Sequence, residues 1–116
     1  MENILPDGVP LQVKESAVWL KDKVGVNEWA FPYNEARILL NYLSENGNMI
    51  LGGDVLKADS NSLSYNFDNW YYNQDKSKSK EENIKNSYLK AIMYLDTYNK
   101  KNGNSYLYVI VFKSIK

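Results

Sequence analysis

A chain of 116 residues with 14 basic and 14 acidic side chains has the size of one domain with one core, and no net charge draws it to nucleic acid or an anionic membrane. It contains neither cysteine nor histidine, which excludes disulfides and thiolate chemistry and removes the ligands that zinc sites normally use. No segment approaches the roughly 20 apolar residues that span a bilayer, and Met1 to Pro10 lacks the basic start and long apolar run of an export signal, so a cytoplasmic location with no membrane partner is expected.

Pro6, Asp7-Gly8 and Pro10 make a turn-rich opening. From Leu11 to Val26 the pattern is divided: Val13, Ala17, Leu20 and Val24 fit a helical stripe, whereas Ala17 to Leu20 also suits a short strand. The stripe favours a short helix. Asn34 is a good cap for the next helix, with Tyr33 as a staple residue against Ile38. Ala36, Leu39, Leu40 and Leu43 recur at the spacing that lines one helical face, and Asn46-Gly47 supplies the stop.

Met49 to Lys57 reads as a strand and Asp59-Ser60-Asn61 as a turn. Leu63, Tyr65 and Phe67 alternate on the return strand, which gives a hairpin with one buried face and places Tyr65 in the core. Residues 73 to 83 are polar and rich in lysine and serine, an exposed loop leading into the clearest helix of the chain. In that helix Ile84, Tyr88, Ala91, Ile92, Leu95 and Tyr98 share a stripe that ends at Asn102-Gly103. Tyr106 to Phe112 is apolar on both faces and belongs in the middle of a sheet. The expected architecture is a single α+β domain over residues 1–116. It has a small, mostly antiparallel sheet (hairpin plus C-terminal strand) with two or three helices packed mainly on one face.

Two motifs stand out. The run Ile50-Leu51-Gly52-Gly53-Asp54-Val55 puts a paired glycine inside an apolar strand, which implies a close backbone approach or an unusual dihedral, and a bend or bulge, at Gly52 and Gly53. The return arm carries Asp68-Asn69-Trp70-Tyr71, which should lie near it in space. Asp54 and Asp68 are carboxylates set among apolar and aromatic residues, where desolvation raises a pKa. They either accept hydrogen bonds that hold the bend and the turn, or converge on an aromatic-walled pocket with Trp70 and Tyr71, as in a small ligand-binding protein or enzyme.

Tyr65, Trp70, Tyr71 and Tyr72 could stack bases only beside a positive groove, and Lys76, Lys78 and Lys80 gather elsewhere. A protein partner suits these aromatics better than nucleic acid. Neither a phosphate-binding glycine turn nor a calcium loop is present in the sequence, so no metal and no cofactor are expected.

The order Trp29-Ala30, an amphipathic helix ending at Gly47, Ile50 to Val55, then Asp68-Asn69-Trp70-Tyr71 resembles the immunity protein 40 family of bacterial polymorphic toxin systems, over roughly residues 25 to 112. The resemblance implies a protein that neutralises a cognate toxin by stoichiometric occlusion and catalyses nothing. It implies toxin contacts at Asp54, Asp68, Asn69, Trp70 and Tyr71, with Gly52 and Gly53 as structural motif positions and the Lys76 to Glu82 loop on the rim. The chain would act as a monomer or weak homodimer. An assembly subunit pairing through Tyr106 to Phe112 is a further reading.

Overall fold

A computed structural model describes residues 5–21, 25–59 and 62–115. Five strands, β1 (Val18–Trp19), β2 (Trp29–Pro32), β3 (Asn48–Asp59), β4 (Ser62–Tyr71) and β5 (Tyr106–Ser114), form one sheet of order β1-β2-β5-β3-β4 in which every neighbouring pair is antiparallel. Among the described residues three helices accompany it: α1 (Leu11–Ser16), α2 (Tyr33–Glu45) and α3 (Lys80–Asn102). The α+β architecture is the expected one. β1 and β2 are additions to the hairpin and C-terminal strand. They occupy two and four residues, too few for a period of two to emerge from the sequence.

β5 lies at the centre, as its two apolar faces require, paired to β2 on one side and β3 on the other. β3 pairs with it from Tyr106 to Ser114, and β2 with Leu107 to Val109. Tyr106, Tyr108, Ile110 and Phe112 pack with the helices, while Leu107, Val109 and Val111 alternate to the opposite face. The larger core holds Ala36, Leu39, Leu40 and Leu43 of α2 and Ala91 and Leu95 of α3, all fully buried. Each of those leucines contributes about 1.5–3 kcal/mol by leaving water. The smaller core joins Leu20, Ala30, Leu56 and Val109 on the other face. The hairpin therefore has apolar groups on both faces: Val55 and Trp70 meet the helices, and Leu56 and Leu63 face away from them.

Several local features differ from the sequence expectations. Residues 11–16 are helical and 18–19 extended, so the helix and strand readings each hold for part of that stretch; Val24 lies outside the described residues. α2 begins at Tyr33, directly after Pro32 of β2, with no side-chain cap. Pro32 already has an extended backbone and no N–H to satisfy, so Asn34 falls within the first turn and caps nothing. Tyr33 donates its hydroxyl to Asp96 at 2.6 Å, and the Arg37 guanidinium lies over its ring. Ser60 and Asn61 of the turn, and the side chains of Tyr65 and Phe67, lie outside what is described.

α3 opens on a capping box, Ser79 accepting from the Glu82 backbone and Glu82 reaching back to the Ser79 backbone. Its buried stripe also carries two polar residues, Asn83 and Ser87. Asn83 accepts from the Tyr72 hydroxyl and the Asp75 N–H and donates to the carbonyls of Asp75 and Ser79, all within 2.7–2.9 Å. This pins the 72–79 segment to the helix. The Ser87 hydroxyl accepts the Ile50 N–H at 2.9 Å, just where the β3–β5 register slips between Ile50 and Gly52. A donor near the bulge thereby finds a partner in α3.

Candidate functional site

The bend expected at Gly52-Gly53 is present, and each glycine answers a separate demand. Gly52 has φ +148, and a Cβ there would lie 2.3 Å from the Trp70 carbonyl oxygen. At Gly53 a Cβ would lie 2.0 Å from the Val109 carbonyl oxygen and 2.4 Å from the Trp70 ring. Register slips flank the pair: between Ile50 and Gly52 against β5, and between Asp54 and Leu56 against β4.

Removing the side chain at Gly53 lets the Trp70 indole lie directly on the strand. Trp70 is only 6% exposed. Its ring stacks on Tyr94 with centroids 4.8 Å apart, Tyr94 on Tyr98 at 5.8 Å, and Tyr98 meets Tyr106 and Tyr108 edge-on. Offset and edge-on contacts of this kind add about 0.5–1.5 kcal/mol each beyond burial. The Trp70 Nε1 and the Tyr108 hydroxyl find no hydrogen-bond partner among the described residues, and burial pushes the Tyr108 hydroxyl well above its ordinary pKa. Packing, and not a polar bond, thus holds Trp70 and Tyr108 in the row.

Alternation then distributes the five expected contact residues. Asp68, two positions from Trp70, lies on the helical side and accepts the Tyr98 hydroxyl at 2.7 Å. Asp54 and Asn69 face each other across the β3–β4 ladder, with Asp54 opposite Val109 of β5 on the face away from the helices. Tyr71 closes the strand, 64% exposed, with the Lys90 ammonium 5.1 Å from its ring centroid and bonded to its carbonyl. Asp54 and Asn69 come together with Gly53 in a depression of about 260 Å³, while Asp68 lines a separate one of about 340 Å³ with Tyr94, Tyr98 and Lys101. The two carboxylates do not converge on one cavity, which a shared ligand pocket requires.

Sequence reasoning missed Glu28. Burial holds its carboxyl above the usual range, and the charge of Asp54 adds to the effect; burial alone does the same to Asp54. The ion pair among the described residues is Arg37–Asp96, and no described cation pairs with Glu28 or Asp54. An acid whose folded pKa exceeds its unfolded value is stabilised by its proton: the gain is complete below the unfolded pKa and is lost as pH rises through the folded one. Asp54→Asn should therefore raise the urea midpoint at neutral pH and flatten the decline in stability between about pH 4 and neutrality. A lower midpoint for the variant at pH 7 would contradict this.

Asn83, Ser87, Tyr94 and Lys90 were also unforeseen as supports of this region. The available signal was two polar residues, Asn83 and Ser87, in phase with Ala91 and Leu95 on one stripe.

Among the described residues no group of three or more acidic side chains is placed to hold a metal ion, and no helix is long and apolar enough to cross a membrane. The family model described as immunity protein 40 matches residues 20–112, most of the chain. No curated protein and no solved structure matches.

Proposed function

The chain belongs to the immunity protein 40 family, and from that premise we propose that it neutralises a cognate bacterial toxin by stoichiometric binding and occlusion, catalysing nothing itself. The observation that carries this reading is the packing of Trp70 against Gly53 and Tyr94. It fixes the exposed neighbours Asp68, Asn69 and Tyr71 in advance, so ordering them on association costs little. The proposed contact surface is the β3–β4 edge: Asp54 and Asn69 on one face, Asp68 on the other, Tyr71 at the end, and Trp70 behind them as anchor. The protein acts as one domain in the cytoplasm, as a monomer or weak homodimer.

Immunity proteins that cover a basic nuclease cleft gain encounter rate from an acidic surface. This chain is neutral overall, which favours a toxin without a strongly basic site. The experiment is co-expression with the toxin encoded beside it, reading cell survival and a one-to-one complex by size exclusion. Full toxicity with no complex overturns the reading.

A further inference from the structure

Three of the four large apolar side chains that stand exposed among the described residues lie at the end of β4 or on the stretch of α3 whose lysine reaches that end. Tyr71 ends β4; Leu89 and Met93, 45% and 68% exposed, lie one turn apart on α3. Lys90 joins the two elements, its ammonium bonded to the Tyr71 carbonyl and set over the Tyr71 ring, and Met93 is three residues further along the helix, on the neighbouring turn. Exposed apolar groups clustered in this way mark binding surfaces, and tyrosine and methionine are enriched in them.

The charge of the chain that carries this patch is one-sided. Residues 73–101 hold seven lysines against four carboxylates. Asp96 is paired with Arg37, while Asp75, Glu81 and Glu82 keep their charge, so a cationic excess remains along this stretch of the net-neutral chain.

We propose that the Tyr71–Lys90–Met93 patch, with Leu89 beside it, is the anchor of the toxin complex, and that the toxin meets it with an apolar hollow rimmed by carboxylates. This rests on the proposed immunity function and names the partner's chemistry: acidic where it touches α3. The clamp on Tyr71 makes the anchor rigid before contact, and the excess of lysines supplies charge complementarity.

The test titrates the toxin domain encoded beside this chain against wild type, Lys90→Glu, Lys90→Gln and Met93→Glu, at low and high salt. Both positions are exposed, and far-UV circular dichroism and thermal midpoints serve as the folding check, with Lys90→Gln showing what loss of the clamp on Tyr71 costs by itself. Lys90→Glu and Met93→Glu should each weaken the complex about 30-fold or more, and Lys90→Gln should reduce its salt dependence. No complex with wild type would sink the immunity reading itself. A wild-type complex left intact by both glutamate variants would overturn only this inference. It would also be overturned if the same variants abolished binding to anionic vesicles or to a single-stranded oligonucleotide while toxin affinity stayed the same.

Discussion

Gly53→Ala is expected to destabilise the protein by about 3 kcal/mol, a large effect for one methyl group. The added Cβ would sit 2.0 Å from the Val109 carbonyl oxygen and within 2.7 Å of two Trp70 ring atoms. Neither neighbour can retreat cheaply: β5 is held by ladders on both sides, and the indole is stacked against Tyr94. Relief requires β3 to separate from β5 or Trp70 to leave the row. Urea unfolding measures the first, and near-ultraviolet circular dichroism of the aromatic row reports the second. A variant with the wild-type midpoint and an unchanged aromatic spectrum would show that the close approach has slack, and the account of the glycine pair would fail with it.

The elements read well from the sequence were those whose periodicity had room to repeat. Ala36 to Leu43 and Ile84 to Tyr98 each span several turns; the first stripe is buried where the spacing placed it, while the buried line of α3 runs through Asn83, Ser87, Ala91 and Leu95, with Tyr88, Ile92 and Tyr98 half-buried beside it. β1 and β2 were hidden because two and four residues cannot display alternation, and their pairing depends on β5, which lies far along the chain. The start of α2 was misread because Asn34 is a good cap in isolation, while Pro32 turns straight from strand into helix.

Around the glycine pair the sequence anticipated the close backbone approach, yet not the division of the motif between two faces. That division follows from Trp70 pointing at the helices, which is settled by Tyr94. Tyr94 in turn lies off the apolar stripe that marked α3 as a helix. Long-range contacts of this kind leave no local trace. The Glu28–Asp54 proximity is similar, since it joins residues 26 positions apart through the order of the sheet.

Trp70→Ala is expected to cost about 3–5 kcal/mol, the range for removing a large buried aromatic, and in a domain this size that can approach the whole of its stability. Loss of toxin binding by that variant would therefore say nothing about contact. Trp70→Phe separates the two roles. Phenylalanine keeps a ring on Gly53 and Tyr94 and deletes the unpartnered indole N–H, whose desolvation costs about 1–3 kcal/mol; that gain offsets much of the lost volume. The variant should stay within about 1.5 kcal/mol of wild type and bind toxin with near-wild-type affinity, because Trp70 holds Asn69 and Tyr71 in place without facing the partner. A folded Trp70→Phe protein whose affinity falls tenfold or more would instead put the indole in the interface. The β3–β4 edge would then have to open on binding to expose a side chain that is 6% accessible in the free protein.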